Sequence, residues 1–96
     1  MILRLSSREV ELIRDAVRST LGDVPVYLFG SRVDENKRGG DIDLYIIAPS
    51  QNDLFRKTLL LKTRLEDLLY KPVDIVVSRD RNRPIEREAI KGIRIV

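Results

Sequence analysis

The sequence predicts an α/β (α+β) domain, a small mixed β-sheet with helices packed on one side. Three observations predict it. Hydrophobic residues recur at helical spacing in two long stretches, short apolar runs bounded by Gly and Pro lie between them, and the elements follow in the order helix, strand, loop, strand, helix, strand, helix. At 96 residues the chain is expected to form one domain spanning 1–96.

The first helix has a start signal. Ser6 is followed three residues later by Glu9, a capping-box pattern, with Leu5 and Val10 placed for a hydrophobic staple. Val10, Ile13, Val17 and Leu21 fall on one face, and Gly22-Asp23 ends the helix. Pro25 opens Val26-Tyr27-Leu28-Phe29, the first strand, which stops at Gly30-Ser31. The polar segment from Arg32 to Gly40 is read as one helical turn and a loop. Asp41 to Ile47 is the second strand, with Asp41, Asp43 and Tyr45 on one face and Ile42, Leu44 and Ile46 on the other.

Pro49 ends that strand. Ser50 with Asp53 is expected to cap a second helix running to about Tyr70, with Leu54, Leu61, Leu65 and Leu68 on its buried face. Lys71-Pro72 breaks it, and Val73-Asp74-Ile75-Val76-Val77 forms the third strand. Pro84 starts a short helix that Gly92 ends. The alternating Ile93-Arg94-Ile95-Val96 is either an edge strand or a partner contact. The basic residues of this last segment read as a solvated helix face rather than a nucleic-acid site.

Composition narrows the chemistry. There is no Cys and no His, which excludes disulfides, thiolate and imidazole metal sites, and Ser-His-Asp or Cys-His catalysis. Any metal must be held by oxygen, which favours magnesium, manganese or calcium. The chain is 43% hydrophobic and 34% charged, with a formal net charge of +3, too mild to argue for a DNA-binding surface. No signal peptide or membrane span is evident, so a cytoplasmic location is expected.

The candidate site lies in two segments. Asp41 and Asp43, at i and i+2 of a strand, share a face with Cα atoms roughly 6.5 Å apart. Two ionised carboxylates so close repel unless a cation lies between them. Asp74 sits within an apolar strand and joins them if its strand pairs alongside, roughly 4.8 Å away. Three carboxylates with two magnesium ions suit phosphoryl or nucleotidyl transfer. Gly30-Ser31 is a turn that lets backbone approach a phosphate, the Ser31 hydroxyl adds a donor, and Arg32 adds positive charge. Taken singly, these signs also fit an ordinary turn, a solvated strand face and an aspartate paired with an arginine. Their combination favours a site.

Together, Phe29-Gly30-Ser31-Arg32, Asp41-Ile42-Asp43-Leu44 and Val73-Asp74-Ile75-Val76 resemble the minimal nucleotidyltransferases of the DNA polymerase β-like superfamily. The resemblance covers nearly the whole chain and implies the nucleotidyltransferase fold. It implies that Gly30 and Ser31, with Arg32 beside them, bind nucleotide phosphates. Asp41 and Asp43 hold the metals, two Mg2+ ions with Mn2+ as a substitute. Asp74 is the third metal carboxylate and activates the acceptor hydroxyl. The reaction implied moves a nucleoside monophosphate from a triphosphate, usually ATP, to a hydroxyl. Minimal members pair with a small all-helical HEPN or HEPT-type toxin, which the transferase, as antitoxin, adenylylates on tyrosine. A ribonuclease-like partner needs histidine, so this chain is expected to be the transferase half. Larger relatives carry a second domain. Here a partner chain, in a homo- or hetero-oligomer, is expected to complete the site. The alternatives are a scaffold that neutralises its partner by contact alone, and a transferase acting on RNA ends or a small molecule. Asp34 and Glu35 in the intervening loop receive no role.

Overall fold

Four strands and three helices account for the fold in the computed structural model, which describes residues 5–30, 41–80 and 82–96. The expected helical turn and loop between Arg32 and Gly40 lie outside the described residues.

Helix α1 runs Ser7–Thr20. Its start is the expected capping box: the Glu9 amide donates to Ser6 Oγ at 3.1 Å, and the Ser6 amide donates to Glu9 Oε1 at 2.9 Å. Two helix-end amides are thereby satisfied. Leu5, on the other side of the cap, is buried in the same core that Val10 packs against. Ile13, Ala16 and Val17 form the buried stripe of α1.

Strand β1 is Val26–Phe29 and β2 is Ile42–Ile46, slightly shorter than the sequence pattern suggests. They pair antiparallel, with Val26 opposite Ile46 and Phe29 opposite Asp43. Helix α2, Leu54–Leu69, carries the chain across to β3, Val73–Val77, which pairs parallel to β2. A parallel pair needs a crossover of about this length. Helix α3, Pro84–Ala89, follows. Strand β4, Ile93–Arg94, then pairs antiparallel with β1, so the terminal alternation is an edge strand. The sheet order is β3-β2-β1-β4.

The two long helices share one face, as expected. They cover Val26, Leu28, Ile42, Leu44, Ile46 and Val73, which with Ile13, Leu61 and Leu65 make the core. The short α3 lies against the opposite face, so the expected packing of helices on one side holds for α1 and α2 and not for α3. It is drawn there by Tyr45, which shares the face of Asp43 yet is 1% exposed and donates its hydroxyl to Glu86 Oε1 at 2.8 Å.

Three local expectations need correction. Asp41 immediately precedes β2 and does not belong to it. Asp53 takes the N-cap position of α2, but with φ 60°, left-handed backbone, and no side-chain cap bond forms there. Capping side chains work from extended backbone. On the buried face, Leu69 takes the place assigned to Leu68, which is 41% exposed. Leu61, Leu65 and Leu69 recur every four residues and follow one stripe, and Leu68 falls to its side.

Gly92 does more than follow a helix. A Cβ there would collide with the Leu28 carbonyl oxygen and lie 2.9 Å from Phe29 Cβ. Only glycine lets the chain leaving α3 close onto β1 to form β4.

Candidate active site

The sheet brings the two halves of the expected site together. Asp43 is the neighbour of Phe29 on one side and of Asp74 on the other. Paired residues on adjacent strands point to the same face, so Asp43 and Asp74 stand side by side on the face away from α1 and α2. Asp43 is half-buried and Asp74 exposed. Asp41 is exposed, two residues earlier, at the mouth of β2.

Gly30 closes onto Asp43. It follows Phe29 directly and has φ +74°, a left-handed conformation that favours glycine. A Cβ at Gly30 would lie 2.7 Å from Asp43 Oδ2. A side chain at residue 30 would be strained by that backbone and would push the Asp43 carboxylate aside. Ser31 and Arg32 lie outside the described residues, as do Asp34 and Glu35.

Among the described residues, no three acidic side chains are gathered closely enough to hold a metal ion as they stand. The donor set nevertheless suits a hard divalent cation. It offers only carboxylate oxygens, two of them from adjacent strands, and contains no competing nitrogen or sulfur.

Two residues near the site gave no signal in the sequence. Lys62 of α2 reaches the start of β3. Its ammonium donates to Glu66 Oε2 at 2.9 Å and to the Val73 carbonyl at 2.8 Å. The bond to Glu66 holds the Lys62 pKa above its ordinary value against the effect of desolvation, and the charges of Glu66, Asp74 and Asp41 add to it. Lys62 thus senses both exposed aspartates.

The other is Glu86, 1% exposed on α3. Its Oε1 accepts from the Tyr45 hydroxyl. Its Oε2 accepts from the amides of Arg79 and Asp80, each at 3.0 Å, and from Arg83 Nη1 at 3.2 Å. Burial opposes the charge, but the Asp80 and Arg79 amides, the Tyr45 hydroxyl and Arg83 outweigh it and hold the carboxyl below its ordinary pKa. Glu86 therefore ties the turn after β3 to β2, the two strands that carry Asp74 and Asp43. A charge pattern of i and i+3 with Arg83 reads as an exposed helix pair, so sequence spacing gives no sign of this burial.

A family model described as polymerase beta, nucleotidyltransferase, matches residues 23–96, from just before β1 to the last residue. The chain belongs to this nucleotidyltransferase family. None of the curated proteins matches it in sequence. Its fold is similar to that of a chain in the toxin–antitoxin complex MntA–HepT, with TM-score 0.74 and 19% identity over 95% of this chain and 72% of the other. It is also similar to a chain in the tri-AMPylated Shewanella oneidensis HEPN toxin in complex with MNT antitoxin, with TM-score 0.74 and 20% identity over 96% of this chain and 72% of that one. A third similar chain belongs to a toxin–antitoxin structure with AMP-PNP, with TM-score 0.76 and 22% identity over 91% and 72% of the two chains. At these identities the likeness is one of fold. In that fold, the described part of this nucleotidyltransferase brings together Gly30, Asp43 and Asp74 and leaves Asp41 at the edge of the group.

Proposed function

We propose that this nucleotidyltransferase moves AMP from ATP to a hydroxyl of a small helical HEPN-type toxin and acts as the antitoxin of that pair. The observation that carries the reading is the side-by-side placement of Asp43 and Asp74 with Gly30 pressed against Asp43. It sets two carboxylates beside a glycine turn whose backbone can approach a phosphate. The similar chains from toxin–antitoxin structures, one with an AMPylated toxin, support the choice of partner and group.

In this reading Asp41, Asp43 and Asp74 hold divalent metal, Mg2+ with Mn2+ as a substitute. When bound, the metal supplies positive charge to the phosphates and acidifies the acceptor hydroxyl. Gly30 lets the main chain approach the phosphates, and Ser31 and Arg32 bind them. The acceptor oxygen forms a bond to the α-phosphorus, the bond to pyrophosphate breaks, and the Asp74 carboxylate takes the hydroxyl proton.

The test mixes the chain with purified HEPN-type partner, labelled ATP and Mg2+. Label on the partner is expected with wild type and lost with Asp43→Asn. If Asp43→Asn neutralises the toxin as well as wild type does, antitoxin action is by contact alone. That outcome would favour the scaffold reading, which the open arrangement of the described carboxylates also admits.

A further inference from the structure

The outer edge of β3 is an open sheet edge among the described residues. Among the described residues β3 pairs only with β2. In a parallel ladder alternate residues direct their main-chain groups outward, here Val73, Ile75 and Val77. The Val73 amide donates to Glu66 Oε2 at 2.9 Å, and its carbonyl accepts from Lys62 Nζ. One ion pair from α2 thus closes the first outward residue. Ile75 and Val77 have no such partner among the described residues. They face a groove of about 1060 Å³.

The walls of that groove are specific. On the α2 side stand Phe55, 78% exposed, and Leu59, 48% exposed, an apolar pair one turn apart. Asp74 lines it within β3, and Arg79 lines it five residues later, just past the end of that strand. Among the described residues the Arg79 guanidinium has no hydrogen-bond or ion-pair partner, whereas Arg83 beside it is engaged by Glu86. Asp74 therefore stands at the catalytic end, beside a Lys62 already paired with Glu66, and an unengaged cation stands beyond the end of β3.

The geometry points to this groove as the docking track for an extended segment of the acceptor protein, added as a fifth strand on β3. The proposal rests on the transferase reading above and names where its acceptor lies. A segment paired with Ile75 and Val77 alternates its side chains across the sheet. Those opposite Ile75 and Val77 point towards Phe55 and Leu59 and are apolar. The residue opposite Asp74 points to the carboxylate face and carries the reacting hydroxyl. A carboxylate five residues from that hydroxyl meets Arg79, so the charge of the segment complements the groove.

The probe is a capped hexapeptide with tyrosine at one end, aspartate at the other, and valine and leucine at the apolar alternate positions, made in both chain directions. It is titrated into the 15N-labelled chain, and AMP-PNP with Mg2+ is titrated separately. Saturable amide shifts centred on Ile75 and Val77, with a Kd at or below about 1 mM, are expected for one direction. The double variant Phe55→Ser/Leu59→Ser changes only exposed side chains and is expected to weaken the peptide at least about tenfold, leaving AMP-PNP shifts unchanged. Arg79→Glu is expected to lose the peptide and regain it when the peptide's aspartate is replaced by lysine. Peptide binding without nucleotide binding keeps the groove and removes the transferase reading. Nucleotide binding with no peptide shifts in either direction, shifts elsewhere, or self-association of the chain through β3 overturns the groove proposal.

Discussion

Replacing Glu86 by glutamine isolates what its charge contributes. The side chain is buried and accepts four hydrogen bonds, from Tyr45, Arg79, Asp80 and Arg83. Glutamine has nearly the same shape. Its oxygen can keep the two backbone amides while its NH2 group donates to the Tyr45 oxygen. Each of the amide bonds and the Arg83 contact then falls from charge-assisted to neutral strength, a loss of about 1 kcal/mol apiece or less. The total is about 2 kcal/mol, or roughly 8–16 °C in Tm for a domain of this size. Glu86→Ala is expected to cost about 4 kcal/mol, because the Arg79 and Asp80 amides and Arg83 lose the acceptor they share. That approaches the whole stability of a small domain, so glutamine is the working variant.

The pH dependence supplies the independent check. The folded-state pKa of Glu86 is lowered below 4.5. Its stabilisation is therefore fully present above 4.5 and is lost as pH falls through the folded value. The gap between wild type and Glu86→Gln in urea unfolding should be widest at pH 7 and should close towards pH 3. A variant within 0.5 kcal/mol of wild type at pH 7, or a gap that does not narrow in acid, would refute the reasoning.

Other substitutions test the site and the sheet. Asp74→Asn should keep nucleotide binding and slow transfer about 100-fold or more, read by label incorporation at saturating ATP; loss of ATP binding would reassign Asp74 to metal holding alone. Saturating Mg2+ and ATP, at about 100 Kd, should stabilise wild type by about 2.7 kcal/mol, seen as a rise in Tm that Asp43→Asn abolishes. No rise in wild type would count against the site. Gly92→Ala should destabilise by about 1–3 kcal/mol in chemical unfolding, because its methyl collides with the β1 backbone; an unchanged midpoint would mean that β4 does not close onto β1 as tightly as described.

The readable elements were those whose signal is local. Ser6 and Glu9 announce α1 because both partners of the capping box lie within one turn. Val73-Asp74-Ile75 reads as a strand with a carboxylate out of place because alternation is a property of neighbours. The misread features depend on rotation or on distant contacts. Leu69 rather than Leu68 is buried because the sheet chooses which of two adjacent stripes of α2 it meets. Asp53 could not be seen to adopt left-handed backbone, since aspartate is a common cap in the extended form.

By itself the sequence determined the order of elements, the exclusion of histidine and cysteine chemistry, and the candidate residues Gly30, Ser31, Arg32, Asp41, Asp43 and Asp74. Each of these follows from residue identity or short-range spacing. Tertiary structure alone decided that Asp43 and Asp74 are strand neighbours, that Gly30 turns with left-handed backbone against the Asp43 carboxylate, and that Glu86 is buried and bonded to Tyr45. Strand order and helix rotation set which distant residues meet, and these arise from packing the whole core rather than from any local pattern.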